Sequence, residues 1–268
     1  MIPAAFEYKR AGSVDEAVEL LGSDPDAKLL AGGHSLIPLL RLRFARPSLL
    51  VDVGRLDELR YIREDGDTIA IGALTRHADL ASNAVLAERC APLARAASLV
   101  GDPQVRHRGT IGGSVAHADP ASDVPTILAA LDADFVARGP DGERTIPANE
   151  FFAGMFETAL GPQDMLTEIR VPHATGTYLK HTRRAHDWAT VGVAATHRDG
   201  SVQVALTSMG ATPLRARGVE EALAGGASPA EAAERAAEGT AAPSDVSGSA
   251  EYREHLARVL VRRALESL

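Results

Sequence analysis

The 268-residue sequence predicts an α+β chain in two parts: mixed helices and strands over 1–173, then a smaller antiparallel sheet with helices over 174–268. Three observations predict it. Short capped helical patterns are interspersed with short apolar strands in the first part. Three β-rich segments follow one another after Pro172–Gly176, the last two joined by a tight-turn signal at Asp199 and Gly200. Three helical patterns then close the chain. The first part divides again near residue 55, into subdomains of about 1–55 and 56–173.

The elements follow in order. Ser13 and Glu16 have the spacing of a capping box, in which each side chain satisfies the other's backbone N–H. The helix they open buries Val14, Ala17, Val18 and Leu21 and ends at Gly22. Lys28–Ala31 reads as a short buried strand running into Gly32 and Gly33. Leu36–Arg43 reads as a helix with Ser35 as its N-cap and Pro38 in its first turn. Leu49–Val53 is a strand, and Tyr61–Ala73 a hairpin turning at Asp65 and Gly66. A helix covers about Ala91–Val100, a glycine-rich loop Gly109–Ser114, and a second helix about Asp123–Asp132. Strands at Asp134–Val136 and Glu143–Ile146 flank a turn at Gly139–Gly142, and Met165–Val171 is strand-like. In the second part, strands fall at Tyr178–Arg184, Thr190–His197 and Ser201–Ser208. Helices cover about 215–224, 228–238 and 250–267, the middle one opened by a capping box at Ser228 and Glu231 with Pro229 in its first position. Ala241–Asp245 is loop-like.

Composition narrows the function. Hydrophobic residues make up 45% and charged residues 24%, as in ordinary soluble domains. A net charge of −8 and 4% aromatics disfavour a general nucleic-acid partner and a base-stacking platform. No apolar run approaches the roughly 20 residues of a membrane helix, and Met1–Arg10 lacks a signal-peptide core, so a cytoplasmic location is expected. The single cysteine, Cys90, permits no internal disulfide and no cysteine-held zinc or iron–sulfur site within this chain. His107 and His117 lie too far apart for a helical metal pair, no H-E-x-x-H occurs, and no metal site is expected.

Two segments carry chemistry: Ala31, Gly32, Gly33, His34 and Ser35, and Thr110, Ile111, Gly112, Gly113 and Ser114. Each has an apolar lead-in, a Gly-Gly pair and a small hydroxyl residue. Glycine reaches positive φ without strain, so successive amides can point into one concavity, and its missing side chain admits a close approach to a ligand. A helix start at Ser35 would add its positive end. These features suit a pyrophosphate held by backbone dipoles, since neither Gly-Gly loop contains Lys or Arg. Gly-Gly pairs are also common turn punctuation. Neither the dinucleotide fingerprint G-x-G-x-x-G nor the P-loop pattern is present.

Taken together, the segments 31–38, 109–113 and 117–123 resemble the motifs of FAD-binding (medium) subunits of molybdenum hydroxylases of the aerobic carbon monoxide dehydrogenase type. The resemblance extends to Met1–Pro3 with Phe6 and Tyr8, to Leu49–Asp52, to Lys180 with Arg183 and Arg184, and to Ala250–Arg253 before Arg262–Ala264. It implies the FAD-binding fold shared with vanillyl-alcohol oxidase and p-cresol methylhydroxylase, followed by a C-terminal domain of the molybdenum hydroxylase flavoprotein type. It also implies FAD in this chain, its pyrophosphate on loops 31–35 and 110–114 and its adenosine side near Asp123. Val100, Leu166 and Lys180 would line the cofactor, and Trp188 would lie near the isoalloxazine. Ser114 departs from the asparagine common in such proteins. Each residue also has a plainer role: Asp123 as a helix cap, Lys180 as an edge charge, Leu166 as core, Trp188 as packing.

The resemblance further implies an assembly. A large subunit would carry molybdopterin and oxidise the substrate, and a small subunit would carry [2Fe–2S] clusters. This chain would pass electrons onward to an acceptor, in a dimer of heterotrimers. The resemblance implies no catalytic acid or base here. It is compatible with a cytoplasmic assembly lying peripheral to the inner face of the membrane. Three other readings stand beside it: a flavin-free assembly scaffold of the same fold, a stand-alone FAD oxidase of the same fold superfamily, and a serine hydrolase. The last fails the nucleophile-elbow pattern, because Ile37 and Ala116 occupy the places where glycine would follow Ser35 and Ser114.

Overall fold

The computed structural model describes residues 2–268. The chain opens with a small parallel sheet. Strands β1 (Glu7–Arg10), β2 (Lys28–Leu30) and β3 (Leu49–Asp52) lie in the order β1-β3-β2, with helices α1 (Val14–Gly22) and α2 (Leu36–Leu42) in the connections. β3 holds the centre and buries Leu49, Leu50 and Val51. β2 is therefore an edge, and its residues are exposed or half-buried, not buried as its apolar sequence suggested. Ser13 caps α1 by accepting from the Glu16 N–H at 3.1 Å. The Glu16 carboxylate accepts from the Gly12 N–H at 2.7 Å, one residue before the position a reciprocal capping box requires.

The middle of the chain forms an antiparallel five-stranded sheet. Its strands are β4 (Ile62–Asp65), β5 (Thr68–Gly72), β6 (Asp134–Gly139), β7 (Gly142–Pro147) and, after a short helix α9 (Ala148–Phe151) and a ribbon of β8 (Phe152–Gly154) and β9 (Glu157–Thr158), β10 (Met165–Pro172). The order is β4-β5-β10-β6-β7. Between β5 and β6 come six helices: α3 (His77–Ser82), α4 (Ala84–Arg89), α5 (Ala91–Ser98), α6 (Pro103–Arg108), α7 (Ile111–His117) and α8 (Asp123–Ala130). The register of β10 against β6 shifts between Leu166 and Glu168, an irregularity that re-aims side chains at that end of the strand.

The last part is an antiparallel sheet of β11 (Thr175–His181), β12 (Val191–Arg198), β13 (Ser201–Thr207) and β14 (Leu214–Arg215), in sequential order. Asp199 and Gly200 turn β12 into β13 with both φ positive, at 52° and 77°, the primed-turn geometry expected there. Helices α10 (Arg217–Ala224), α11 (Pro229–Ala233) and α12 (Ala250–Glu266) cover one face, burying Val193, Leu206, Val219, Ala257 and Val261 together. The other face contributes Tyr178, Ala194 and Ala205 to the core of the five-stranded sheet. Strand β12 is buried at six successive positions, Val191–Thr196, because both faces are covered.

Candidate functional site: a cleft between the loops of three sheets

The two glycine segments, 79 residues apart between Ala31 and Thr110, meet on one cleft of about 580 Å³. That volume lies within the roughly 300–1,000 Å³ of small-molecule and cofactor sites. The glycines act in four different ways. A Cβ on Gly32 would stand 2.3 Å from the Arg108 carbonyl oxygen, so Gly32 permits the two segments to touch backbone to backbone. Gly33 has φ +80°, and of the four it is the one in the left-handed region. A Cβ on Gly112 would meet Ala73 Cβ at 2.6 Å, so Gly112 lets α7 seat on the end of β5. A Cβ on Gly113 would meet within 4 Å only the Thr110 hydroxyl, at 2.8 Å, and Gly113 is exposed on the cleft wall.

The second segment is not a loop. Thr110 is the N-cap of α7, accepting from the Gly113 N–H at 3.1 Å, and both glycines lie in the first turn. Glycine is a poor helix former, and here packing against Ala73 overrides propensity. The first-turn donors of α7 are engaged within the protein: Ile111 N–H to Thr75 O, Gly112 N–H to Ala73 O, Ser114 N–H to Thr110 O. This segment therefore offers a ligand the Ser114 hydroxyl and the open surface at Gly113. The first segment differs. Among the described residues, the N–H groups of Gly32, Gly33, His34 and Ser35 have no protein acceptor. Ser35 itself does not cap α2: its backbone is already helical (φ −99°, ψ −50°) and its side chain caps nothing. The free amides here belong to the loop ahead of the helix, since an αR Ser35 cannot fold its side chain back onto the first turn.

Ala31, Val100 and Leu166 also line the cleft as apolar wall, Leu166 from the end of β10. Ile111 does not line it: its side chain is fully buried in the main core and its N–H is taken by Thr75. Trp188 stands at the mouth, 57% exposed, on the loop after β11 that also brings His186 and Asp187 to the cleft.

Asp123 and Lys180 form the polar floor. Asp123 is the first residue of α8, while Ser122 occupies the N-cap position, so the aspartate is not the cap. Its Oδ2 accepts from Lys180 Nζ at 2.8 Å, with side chains 4% and 5% exposed. Its Oδ1 accepts from the Tyr178 hydroxyl at 2.8 Å. Tyr178 lies 2.9 Å from the Thr207 hydroxyl, which donates to Thr126 at 2.8 Å, and Lys180 also donates to Leu99 O at 3.1 Å. Burial pushes the Asp123 carboxyl up, partly offset by the Lys180 ammonium and the donated hydrogen bonds. Burial beside Asp123 pushes the Tyr178 phenol well up. Lys180 is thus neither an edge charge nor free for a ligand alone. It is a buried cation fixed by a carboxylate and a carbonyl.

Sequence reasoning missed Tyr178 and His77. Tyr178 had a signal, since it stands two positions before Lys180 on a strand and the two side chains must share a face. His77 had none, because its place on the cleft depends on α3 starting against Gly109, whose carbonyl accepts the His77 N–H at 3.1 Å. Burial, then the charges of Arg106, Arg76 and His34, lower its pKa to about 4, so the imidazole is neutral at ordinary pH. His117, half-buried on the cleft, is lowered by burial as well.

The site contains no nucleophile with its base. Among the described residues, neither Ser35 nor Ser114 is hydrogen-bonded to a histidine, and no cluster of His, Cys, Asp and Glu could hold a metal. What it offers is a row of backbone donors at one place, a hydroxyl and a buried ion pair at another, and apolar wall between. That donor set fits an extended ligand with an anionic group and a planar part, as FAD is.

Comparison with known proteins agrees. Residues 4–174 match the FAD binding domain in molybdopterin dehydrogenase, and residues 176–268 match the CO dehydrogenase flavoprotein C-terminal domain. The fold and cleft thus define an FAD-binding subunit of an oxidoreductase. The chain belongs to the family of carbon monoxide dehydrogenase medium chains and related molybdenum hydroxylase flavoproteins. It is 46% identical to the carbon monoxide dehydrogenase medium chain of Hydrogenophaga pseudoflava, covering 100% of this chain and 98% of that one. It is 39% identical to subunit alpha of the 6-hydroxypseudooxynicotine dehydrogenase complex of Paenarthrobacter nicotinovorans, over 99% and 95% of the two chains. Its structure superposes with a TM-score of 0.95 on a chain of the Hydrogenophaga pseudoflava carbon monoxide dehydrogenase that lacks the Mo-pyranopterin moiety. The identity there is 45%, over 99% and 98% of the two chains.

Proposed function

We propose that this chain holds FAD along the cleft and relays electrons within a molybdenum hydroxylase, from the [2Fe–2S] clusters of a small subunit to an external acceptor. A large molybdopterin subunit would oxidise the substrate, in a dimer of heterotrimers located in the cytoplasm. No helix among the described residues is long and apolar enough to cross a membrane. FAD would supply a carrier able to take one or two electrons. Every other contribution is the chain's own.

The carrying observation is the junction of the two glycine segments, where Gly32 brings its loop against the Arg108 backbone and leaves the amides of residues 32–35 without protein acceptors. Those amides and the Ser114 hydroxyl would hold the pyrophosphate. Asp123, fixed by Lys180 and Tyr178, keeps lone pairs for a ribose hydroxyl. Val100 and Leu166 would exclude water from the flavin, with Trp188 beside it. The division near residue 173 would separate FAD binding from the C-terminal sheet that supplies Lys180 and Trp188. Relatives from a carbon monoxide dehydrogenase and a 6-hydroxypseudooxynicotine dehydrogenase complex align over the whole chain, which is expected if the substrate is recognised on another subunit.

Titration of the purified chain with FAD tests the site. Gly113→Val and Asp123→Ala should each weaken affinity, the first by filling the cleft wall and the second by removing its polar floor. Unchanged affinity in both would refute the assignment. Rapid mixing of the FAD-loaded chain with a reduced [2Fe–2S] partner subunit should bleach the flavin band. No bleaching would remove the relay role while leaving flavin binding intact.

A further inference from the structure

The wall carried by residues 183–188 is exposed at all six positions, yet it sets the mouth of the cleft through His186, Asp187 and Trp188. An exposed loop of this kind ordinarily samples many conformations. Its main anchors lie in the turn and helix start at 244–253, none of which lines the cleft. Arg183 Nη1 donates to Val246 O at 2.6 Å. Arg253, on the first turns of α12 and only 2% exposed, donates through Nη1 to Thr190 O and through Nη2 to Asp245 Oδ1 at 2.6 Å. The turn is itself closed by paired backbone bonds between Asp245 and Gly248, 3.0 and 3.2 Å. Ser208 Oγ donates to Ala189 O at 2.8 Å, and across the cleft His186 Nδ1 lies 3.1 Å from Gly101 O.

We propose that Arg253 and Arg183 are positioning residues: with the 244–248 turn they form a clasp that sets the Asp187–Trp188 wall over the cleft, so the start of the C-terminal helix governs how firmly the cleft retains its ligand. Neither arginine lines the cleft. Both act through the loop, Arg183 from within it and Arg253 on Thr190, two residues past it. Thr190 is the point of convergence: its N–H donates to His181 O at 2.8 Å, closing the base of the loop, while its carbonyl accepts from Arg253. Loosening that carbonyl frees the loop base without touching any group that faces the ligand.

Trp188 is the sole tryptophan, so its fluorescence reports this wall directly. The ligand arm of the test rests on the flavin reading above, and the fluorescence arm does not. In the full chain without FAD, Arg253→Lys and Arg183→Gln should each lower Trp188 anisotropy and raise its quenching by acrylamide, with the far-ultraviolet dichroism unchanged. In the FAD-loaded chain each should raise the FAD dissociation rate about tenfold, the ratio set by losing one charge-assisted hydrogen bond. Arg253→Lys, which keeps the charge, should be milder than Arg253→Met in both readouts, whereas a merely structural role would show only a common loss of Tm. If the Arg253 variants fail to fold, Arg183→Gln decides, because its one bond lies at the surface. Wild-type anisotropy in a folded Arg183→Gln would overturn the clasp. Absence of FAD binding by the wild type would instead count against the flavin reading, with the fluorescence comparison still deciding the clasp.

Discussion

Replacing Lys180 with methionine removes the cation from a pair that almost no water reaches. The methionine fills most of the space, so the change isolates charge from packing. At 2.8 Å, and with an effective dielectric constant near 20, the pair's attraction is about 6 kcal/mol, largely offset by the desolvation of both groups. Removing one partner leaves that offset in place for the other, which costs about 3–5 kcal/mol. The Leu99 carbonyl also loses its donor. The Tyr178 bond to Asp123 survives and holds the cost toward the lower figure. Urea unfolding of Lys180→Met should therefore show a loss of about 3 kcal/mol near neutral pH. The loss has a definite pH signature. Burial already raises the Asp123 carboxyl above its unfolded value, and loss of the ammonium raises it further. A raised carboxyl holds its proton more firmly in the folded state, so the destabilisation is full above the folded pKa and shrinks as pH falls toward about 3.9. The difference between variant and wild type should therefore narrow as pH falls from neutrality toward the unfolded carboxyl value of about 3.9. Adding Asp123→Asn to Lys180→Met should cost less than the sum of the single changes, with a coupling of about 2 kcal/mol. A loss under about 1 kcal/mol, independent of pH, would refute the reasoning, since it would mean that water screens the pair as it does at a surface.

Three further outcomes follow from the same geometry. His77 is held at about 4 against about 6.5 in an unfolded chain, so it contributes stability that is present above pH 6.5 and lost as pH falls toward 4; the full effect is about 3 kcal/mol, and His77→Phe should flatten that part of the stability profile, measured by urea midpoints across the range. Gly33→Ala places a side chain at φ +80° with its Cβ 2.6 Å from Ile37 Cδ1, and thermal unfolding should show a loss of more than about 1 kcal/mol. Thr110→Ala removes the side chain that accepts from Gly113 and should cost about 1 kcal/mol, read from denaturant midpoints, with Thr110→Ser restoring most of it.

Much of the architecture was legible because local chemistry and global fold agree. The Asp199 and Gly200 turn, the capping box at Ser228 and Glu231, and the β5 and β10 strands are all signalled within a few residues. The helices α3 and α4 were not read, since each has six residues and too little length for a period to show. α6 had its signal in Asp102 and Pro103, a side-chain cap followed by proline in the first turn, and went unread beside the glycines. The glycine segments show the limit of pattern reading most clearly. Sequence identified Gly32, Gly33, Gly112 and Gly113 as positions with a special purpose, and the structure brings them to one cleft. It could not say that Gly112 sits in a helix against Ala73, or that Gly32 exists to meet the Arg108 carbonyl, because those neighbours are remote in the chain. The same holds for Ser35, whose apparent capping role depended on a backbone angle that the sequence leaves open. Asp123 and Lys180 came from the family resemblance, and their mutual contact came from the fold alone.

Flavin stoichiometry tests the cleft most directly. The full chain, alone and assembled with the iron–sulfur and molybdopterin subunits proposed above, would be mixed with FAD, freed of excess by gel filtration and read by visible absorption before and after denaturation. A cleft that holds FAD as proposed retains a flavin spectrum, releases one FAD per chain, and loses that retention in Gly113→Val. A chain that retains no flavin in either form, or that retains it equally in Gly113→Val despite the added bulk in the cleft wall, would contradict it.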